Sequence, residues 1–304
     1  MSAFRCIKEL GFSEPMNKKE LGKTGVLLPE IGLGTYQYCA GVEPIKKAID
    51  LGVSLIDTAE SYGTEEIVGD AVRHVRDRVF IATKVSPKHF RRSEMLMAAD
   101  RSLKRLKTDY IDLYQLHWPN CTVPIEETMG AMEDLVDRGK IRFIGVSNFS
   151  VSELRKAQRA LSKYRLVSNQ VRYSVVDRSA EVGLLRYCRE NQITVIAHSP
   201  LGHGMNHIKD KDPGAVLSKV AALKGKTESQ VALNWCISKD NVIAIPKASS
   251  IEHVVQNCDA SDWRLSPEQN KLVEDGVAFR RRGRAEAALR RMARAILQRL
   301  GRNQ

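Results

Sequence analysis

Short apolar runs rich in β-branched residues alternate along this chain with longer runs in which apolar positions recur every three or four residues. The first pattern is typical of buried strands and the second of amphipathic helices. We predict eight strands, at residues 30–34, 54–59, 79–85, 111–117, 143–147, 167–171, 194–198 and 242–246. Between them we predict helices that include residues 65–75, 93–107, 125–138, 152–163, 180–191 and 229–239.

The order of these elements predicts the fold. The strands are apolar throughout instead of alternating, which is typical of parallel strands covered on both faces. Eight strand–helix units within about 250 residues predict an α/β fold of the (β/α)8 TIM barrel type. A doubly wound sheet is the alternative, but residues 32–36 do not complete the G-x-G-x-x-G motif expected after its first strand. Residues 16–30 are typical of a short N-terminal hairpin, which in a barrel would plug the N-terminal end.

Three of the predicted helices have recognisable starts. Ser150 with Glu153, and Thr227 with Gln230, have the spacing of a capping box, in which each side chain bonds the backbone N–H of the other residue. Thr64 stands directly before the acidic pair that opens the helix predicted at 65–75, which is typical of an N-terminal cap. We therefore expect helices to begin at these three positions.

Four polar side chains stand where predicted strands end. Asp57 and Tyr62 lie in the segment IDTAESYG after the second strand, Lys84 closes the third strand, and His117 closes the fourth. In a barrel these ends share one face, which carries the active site, so we expect the four groups to converge. Taken singly, each has an ordinary interpretation as a helix cap, a solvated charge or a structural histidine. Their placement at consecutive strand ends favours catalysis.

Together the four groups could donate a proton to a carbonyl oxygen on which negative charge develops during hydride transfer. A free tyrosine has a pKa of about 10, and a nearby Lys84 ammonium is expected to lower the pKa of Tyr62. Asp57 is expected to pair with Lys84 and keep it charged. His117 is expected to donate a second hydrogen bond that orients the carbonyl.

The positive charge of the chain is concentrated at its C-terminus. The formal net charge is +12, and residues 280–304 contain nine Arg and one Glu. This tail is rich in Ala, Leu and Arg and predicts a basic helix, with an apolar stripe formed by Leu289, Met292, Ala293, Ile296 and Leu300. Packing of the stripe on the barrel is the first interpretation. Self-association or contact with a membrane surface is the alternative, and nucleic-acid binding is not expected because no companion motif is present.

The remaining composition excludes several classes of protein. The sequence contains no run of eighteen apolar residues, so it predicts no transmembrane helix. The N-terminus has no apolar region typical of a secretory signal. We therefore expect a cytoplasmic protein with a single domain at residues 17–279, an extension at 1–16 and a basic helical tail at 280–304. His203 and His207 are four positions apart but have no Glu or Cys partner nearby, so no metal site is predicted. The pattern does not predict an oligomeric state.

The motifs IDTAESYG, ATKV, LHWP, GVSNF, SNQVRYS, AHSPLGHG and IPKASS, in this order, resemble those of the aldo-keto reductases. The resemblance runs from about residue 17 to about residue 270. Within the family, the sequence is similar to prokaryotic members related to diketogluconate reductases. It implies a (β/α)8 barrel that binds NADPH, with NADH as the second choice, and that reduces aldehydes or ketones. The alternative is a cofactor-binding regulatory or interaction module with negligible turnover. The complete set of four polar groups favours the enzyme.

The resemblance also implies a role for individual residues. Tyr62, Asp57, Lys84 and His117 match the family's proton-donor tetrad. Tyr36, His117 and Trp118 would contact a small carbonyl substrate. The implied cofactor-binding residues are Gly34, Thr35, Tyr36, Asp57, Ser147, Asn148, Gln170, His198, Ser199, Pro200, Leu201, Gly202, Lys247, Ser249, Ser250 and Asn257.

The sequence departs from the family pattern in three places. His198 stands where the family usually stacks a tyrosine on the nicotinamide, His253 stands where an arginine commonly clamps the 2′-phosphate, and Ala248 stands where Ser or Thr is frequent. Lys247 still offers a point charge to a 2′-phosphate. We therefore expect a preference for NADPH that is weaker than in members with the arginine.

Overall fold

The computed structural model of this protein describes residues 16–202 and 204–280, together with residues 286, 289, 292, 293 and 296–298. It begins with an antiparallel hairpin of β1 (Lys18–Glu20) and β2 (Leu27–Pro29). Leu21 and Leu28 of this hairpin are fully buried in one cluster with apolar residues of the central strands, among them Phe80 and Leu113. The hairpin therefore fills one end of the sheet's interior, as predicted.

Eight parallel strands form a single sheet in which strands that follow one another in sequence are neighbours. All eight predicted strands are present, although the first, the second and the last are shorter than predicted. They are β3 (Leu33–Gly34), β4 (Leu55–Asp57), β5 (Phe80–Val85), β6 (Ile111–Leu116), β7 (Ile141–Ser147), β8 (Leu166–Arg172), β9 (Thr194–His198) and β10 (Val242–Ala244).

Hydrogen bonds between residues 30–34 and residues 244–247 join the two edges of this sheet, and we call this junction the seam. Gly32 N donates to Ala244 O at 2.8 Å, Ala244 N donates to Glu30 O at 2.9 Å, and Gly34 N donates to Pro246 O at 3.1 Å. Isolated parallel bridges connect the same segments. Eight parallel strands joined in this way match the (β/α)8 architecture and contradict the doubly wound alternative.

Helices cover the outside of the sheet, and each of the six predicted helices is present. They are α2 (Glu65–Val72), α3 (Arg92–Leu106), α4 (Ile125–Asp137), α5 (Val151–Ala160), α6 (Leu184–Glu190) and α9 (Glu228–Ile237). The structure adds α1 (Glu43–Asp50), α7 (Met205–Lys209), α8 (Val216–Lys224), α10 (Ile251–Cys258) and α11 (Pro267–Gly276). Their buried faces pack with the outward-facing strand residues into the larger of two apolar clusters.

The helix starts were predicted correctly, but one cap was not. Both capping boxes form at Ser150–Glu153 and at Thr227–Gln230. The helix expected after Thr64 does begin at Glu65, yet the Thr64 hydroxyl makes no capping bond. It bonds the hydroxyls of Thr35 and Thr58 instead, at 2.9 and 2.8 Å. This side chain therefore connects two loops beside the ends of β3 and β4.

Beyond α11 the chain returns to the barrel at Arg280, whose N–H donates to Val176 O at 2.9 Å. The seven described residues after it are helical, but Leu289, Met292 and Ile296 are 65%, 61% and 55% exposed. For these three residues the predicted packing of the apolar stripe on the barrel is therefore wrong. Most of the predicted helical tail and nearly all of the extension at 1–16 lie outside the described residues. Among the described residues, the helices are too short or too polar to cross a membrane.

Candidate active site

The four polar side chains predicted at strand ends meet at one face of the sheet. Lys84 Nζ donates to Asp57 Oδ1 at 2.5 Å and to the carbonyl oxygen of Thr58 at 2.8 Å. Tyr62 lies in a single 3-10 turn, Glu60–Tyr62, which follows β4. The hydroxyl of Tyr62 is 3.4 Å from Nε2 of His117, and Lys84 Nζ is 4.8 Å from the centre of the Tyr62 ring. The predicted convergence is therefore present.

Burial decides the protonation states in this cluster. Burial and the charge of Lys84 lower the pKa of His117 to about 3. Burial alone would lower the pKa of Lys84, but Asp57 and Tyr62 outweigh it, so the pKa of this lysine lies above its usual value. Near neutral pH the site therefore contains a charged ammonium beside a neutral imidazole.

The expected pKa shift of Tyr62 was wrong in its direction. Burial raises the pKa of the phenol, and this effect exceeds the opposite effect of the Lys84 charge. The lysine acts in the predicted sense, but the phenol is too deeply buried for it to dominate. As a result Tyr62 keeps its proton at neutral pH, which is the state that a proton donor requires.

Asp57 also accepts hydrogen bonds from two amides inside the barrel. Gln170 Nε2 donates to Asp57 Oδ2 at 2.7 Å, and Gln115 Nε2 approaches the same oxygen at 3.3 Å. Asp57 lies on β4, Gln115 on β6 and Gln170 on β8. Alternate strands of such a barrel direct their side chains into one layer, so these three side chains can meet. A Cβ on Gly145 in β7 would lie 3.0 Å from Cγ of Gln115. The absence of a side chain at Gly145 thus leaves room for Gln115.

Gln115 was missed in the sequence. Its signal was available, because it stands two positions before His117 on the strand predicted at 111–117, and residues two apart on a strand face the same side. A glutamine within an otherwise apolar run such as IDLYQL is also unusual for a strand buried on both faces. The contact with Asp57, however, depends on the register between strands that are far apart in sequence.

The ends of β7 and β9 form an amide-rich region beside this cluster. Asn148 Nδ2 donates to Ser147 Oγ at 2.9 Å and to the carbonyl oxygen of His117 at 3.1 Å, and Ser147 Oγ donates to Gln170 O at 3.0 Å. His198 approaches Asn148 Oδ1 at 3.4 Å and Ser199 Oγ at 3.2 Å. The predicted residues 147, 148, 170, 198 and 199 are therefore in one place.

Two residues of this region have left-handed backbone angles without being glycine. Asn148 has φ 64° and Ser199 has φ 51°. Asparagine tolerates this conformation, but for serine it costs free energy, and such residues concentrate at functional sites. The following turn contains Pro200, Leu201 and Gly202, and Gly202 N donates back to Ser199 O at 2.9 Å. Both outliers fall within motifs that were assigned to the cofactor.

The remaining predicted cofactor residues flank the seam. Gly34 ends β3, Thr35 and Tyr36 follow it, and Thr35 Oγ1 donates to the carbonyl oxygen of Asp57 at 3.0 Å. On the other side of the seam, Lys247 is exposed, and the Oγ atom of Ser249 is buried without a hydrogen-bond partner among the described residues. An unpaired buried hydroxyl is costly, so Ser249 fits a site that receives a polar ligand.

Ser250 and Asn257 differ from the other predicted cofactor residues. The hydroxyl of Ser250 caps α10 by accepting from His253 N at 3.2 Å. Asn257 is buried within the same helix and not at a strand end. Any contact of Ser250 with a ligand must therefore coexist with its capping bond.

Aromatic side chains surround the Tyr62 hydroxyl. The ring of Tyr36 lies edge-on to that of Tyr62 with 5.0 Å between their centres, and the ring of His117 lies 5.4 Å from Tyr62. Trp118 stacks on His117 at 6.5 Å, and Tyr36 is 59% exposed. Near this wall, Gln298 Nε2 donates to Pro119 O at 2.8 Å. Of the three residues predicted to contact a substrate, Tyr36 and His117 therefore contact the ring of Tyr62, and Trp118 stacks on His117.

Comparison with known proteins identifies the family to which this chain belongs. A sequence model described as the aldo/keto reductase family matches residues 30–277. The chain belongs to this family. It is 36% identical over 270 residues to methylglyoxal reductase YeaE of Escherichia coli (strain K12), a match that covers 85% of this chain and 95% of the relative.

Solved structures of aldo-keto reductases have the same fold. An aldo-keto reductase from Klebsiella pneumoniae, crystallised with NADPH, superimposes with a TM-score of 0.82 at 38% identity and covers 88% of this chain and 98% of its own. A putative 2,5-diketo-D-gluconic acid reductase B has a TM-score of 0.77 at 29% identity and covers 88% of this chain and 98% of its own. These matches confirm the family and its prokaryotic type.

This aldo-keto reductase contains no resident metal cluster that we can identify in its described part, where groups of three His, Cys, Asp or Glu side chains with suitable geometry do not occur. His203, one of the two histidines considered for a metal, lies outside the described residues.

Proposed function

We propose that this aldo-keto reductase uses NADPH to reduce small aldehydes or ketones to alcohols, with Tyr62 as the proton donor. The observation that carries the proposal is the cluster in which the protonated Tyr62 hydroxyl lies beside His117 and Lys84, while Asp57 holds Lys84 at 2.5 Å. The family match supports the reaction class. A regulatory module with negligible turnover is not favoured, because all four groups are present and in contact.

The roles of the four groups follow from their charge and position. The substrate's carbonyl oxygen would accept a hydrogen bond from Tyr62 Oη, which gives up its proton as negative charge develops on that oxygen. Lys84 stabilises the phenolate that remains, because its ammonium lies over the ring. His117 is neutral, so its imidazole can donate one hydrogen bond to the same oxygen without adding a charge.

The residues around the seam and at the ends of β7 to β9 fit a nicotinamide cofactor, which when bound supplies a hydride to the carbonyl carbon. Ser147, Asn148 and Gln170 offer the donors and acceptors that a carboxamide needs. The 199–202 turn and the unpaired Ser249 hydroxyl suit a pyrophosphate and its neighbours. Lys247 is an exposed cation suited to a 2′-phosphate.

NADPH is proposed as the preferred cofactor, and the relative crystallised with NADPH supports it. His253 replaces the common arginine, and it follows the cap of α10, so the preference rests mainly on Lys247. Steady-state kinetics with NADPH and with NADH measures this preference as a ratio of kcat/KM values. A higher kcat/KM with NADH would refute the assignment.

The substrate is proposed to be a small aldehyde or dicarbonyl. The similarity to methylglyoxal reductase YeaE supports this choice. The ring of Tyr36 contacts that of Tyr62, the ring of Trp118 stacks on His117, and the nearby Lys84 is paired with Asp57, so the lining beside Tyr62 is largely aromatic. A neutral compound such as methylglyoxal suits this lining.

The test is NADPH oxidation with methylglyoxal or a nitrobenzaldehyde, comparing wild type with Tyr62→Phe. We expect kcat/KM to fall by at least about a hundredfold, because general acid catalysis contributes about 10²–10⁴ in rate. NADPH affinity, measured by quenching of protein fluorescence, should change little, because the hydroxyl is not assigned to the cofactor. Equal turnover by the two proteins would contradict the mechanism.

We further propose that residues 17–279 form one barrel domain and that residues 280–304 are an accessory tail. A cytoplasmic location and contact of the tail with a membrane surface stay predictions from the sequence. Cell fractionation of the full chain and of a chain that ends at residue 280 tests both at once.

A further inference from the structure

A short turn after β5 contacts both loops on either side of it. This 3-10 turn, Pro87–His89, begins two residues beyond the strand that carries Lys84. One neighbouring loop carries Tyr62 and the other follows His117. We call the contacting residues Glu60, Ser86, Pro87, His89 and Asn120 the loop brace.

The Glu60 carboxylate makes the first half of the brace. Its side chain is only 7% exposed and stands two residues before Tyr62 in the same turn. Ser86 N donates to Glu60 Oε1 at 2.5 Å, and His89 Nδ1 lies 2.9 Å from the same oxygen. Because a carboxylate only accepts, His89 must present a proton on Nδ1. Hydrogen bonds to a charged group of this kind are about twice as strong as neutral ones.

Asn120 makes the second half. Its Nδ2 donates to the carbonyl oxygen of Pro87 at 2.8 Å, so the same turn holds the loop after His117. His117 is also anchored by its own N–H, which donates to Val85 O at 3.0 Å. The turn thus connects the segments that carry Tyr62, Lys84 and His117.

Tyr62 needs such support more than its partners do. Asp57 and Lys84 lie on strands, and His117 directly follows one, so the sheet fixes their positions. Tyr62 lies five residues beyond the last residue of β4. A displacement of about 1 Å at a reacting group can reduce a rate about a hundredfold.

Building on the proposed role of Tyr62, we propose that Glu60 is a positioning residue that acts through the loop brace. Glu60, held by Ser86 and His89, fixes the turn that presents Tyr62 at hydrogen-bond distance from the carbonyl oxygen. Asn120 fixes His117 relative to the same turn. In this proposal the side chains of Glu60, His89 and Asn120 need not contact the substrate.

The first test compares Glu60→Ala with a matched control. Glu127 also accepts from the loop after this turn, with Arg92 N at 3.1 Å and Arg91 Nη1 at 2.9 Å, but it contacts the start of α3 and not the Tyr62 loop. We expect Glu60→Ala to lower kcat/KM for methylglyoxal by about 10- to 100-fold, because the charge-assisted bonds that hold the Tyr62 turn in place are lost. Glu127→Ala should retain activity within about twofold, and NADPH affinity should be unchanged in both.

The second test asks whether Glu60 acts through Tyr62. In a Tyr62→Phe background, Glu60→Ala should cause no further loss beyond about twofold, because the group being positioned is already absent. A further loss as large as in the wild-type background, or wild-type activity of Glu60→Ala, would overturn the proposal. Full activity of Tyr62→Phe alone would instead contradict the proposed function.

If Glu60→Ala does not fold, Asn120→Ala provides a second test of the loop brace. Asn120 contributes one neutral hydrogen bond to the Pro87–His89 turn, and its Oδ1 accepts from N and Oγ1 of Thr122 within its own loop. For the loss of the bond to the turn we expect kcat/KM to fall about 3- to 10-fold with unchanged NADPH affinity. A rate equal to that of wild type would remove Asn120 from the brace.

Discussion

The protonation states of the candidate site are set by packing around single residues. His117 is neutral because burial and Lys84 oppose its positive charge, and Tyr62 is protonated because burial opposes its negative charge. Both groups can therefore act as hydrogen-bond donors at neutral pH. This state is a property of the folded chain, so it must also appear in the stability of the protein.

The lowered pKa of His117 predicts acid sensitivity. An unfolded histidine binds a proton below its ordinary pKa of about 6.5, whereas folded His117 stays neutral down to about 3. The stabilisation is thus present above pH 6.5 and is lost as the pH falls below it. Between pH 6.5 and 4.5 we expect wild type to lose about 2 kcal/mol more free energy of unfolding than His117→Gln. Urea unfolding at several pH values measures this difference.

The exposed His74 provides the control, and its replacement by glutamine should leave the pH dependence as in wild type. If His117→Gln loses stability with falling pH as steeply as wild type, His117 is not neutral in the folded protein.

At the scale of single residues, the sequence predicts which groups form the candidate site better than it predicts their environment. Asp57, Lys84 and His117 were found because strand ends can be read from apolar runs. The pKa of Tyr62 was mispredicted, because its burial depends on Tyr36 and on loops that are separate in sequence. Gln115 and the loop brace were missed for the same reason, since each is defined by contacts across strands or loops.

The helices and strands pack closely enough that single glycines become necessary. On α2, a Cβ at Gly69 would lie 2.6 Å from the carbonyl oxygen of Leu106 and 2.9 Å from that of Arg105. These are backbone atoms of the end of α3 and cannot rotate away. Gly130 on α4 is different, because its nearest atom is Nη1 of Arg92 at 4.0 Å.

These two glycines provide a matched pair of variants. We expect Gly69→Ala to lower the free energy of unfolding by about 1–3 kcal/mol, because the two helices must move apart. Gly130→Ala should raise it by up to about 1 kcal/mol, because alanine favours a helix and meets open space. Denaturant unfolding followed by circular dichroism measures both. A loss of stability of equal size in the two variants would show that the close contact at Gly69 is not the cause.

Element positions were the most predictable part of the fold. The strands were recovered because apolar runs report burial on both faces, and the capping boxes at 150–153 and 227–230 marked two helix starts. Thr64 failed as a cap because its hydroxyl has partners in Thr35 and Thr58, which only the folded loops bring near.

For the whole molecule, the basic tail contributes most of the charge but few described contacts. Arg280 belongs to the barrel through its bonds with Val176 and Arg178. Beyond it, Gln298 contacts Pro119 at 2.8 Å and the N–H of Cys121 at 3.2 Å, next to the proposed substrate wall. Among the described residues of the tail, Gln298 therefore lies close to the proposed substrate site.

We expect a chain that ends at Arg280 to fold with an unchanged melting temperature and unchanged NADPH affinity. Its KM for a carbonyl substrate should rise by no more than about tenfold, because about one or two neutral hydrogen bonds beside Trp118 are lost. The truncation removes eight Arg and one Glu, so retention on a cation-exchange column should fall as well. A large drop in melting temperature would show that the tail is part of the core. In that case Gln298→Ala tests the contact of Gln298 with Pro119 and Cys121 separately from the other contributions of the tail.

The seam has a consequence for how the chain is made. Its partners are far apart in sequence, as the 210 positions between Gln37 and Lys247 show for the contact that spans it. During synthesis the strands from β3 to β9 emerge first, and both edges of the growing sheet stay unpaired until residues 242–247 leave the ribosome. Open parallel edges recruit other chains. The nascent protein is therefore most exposed to aggregation in the interval before its last strand arrives, and a premature stop within that interval leaves a sheet that cannot close.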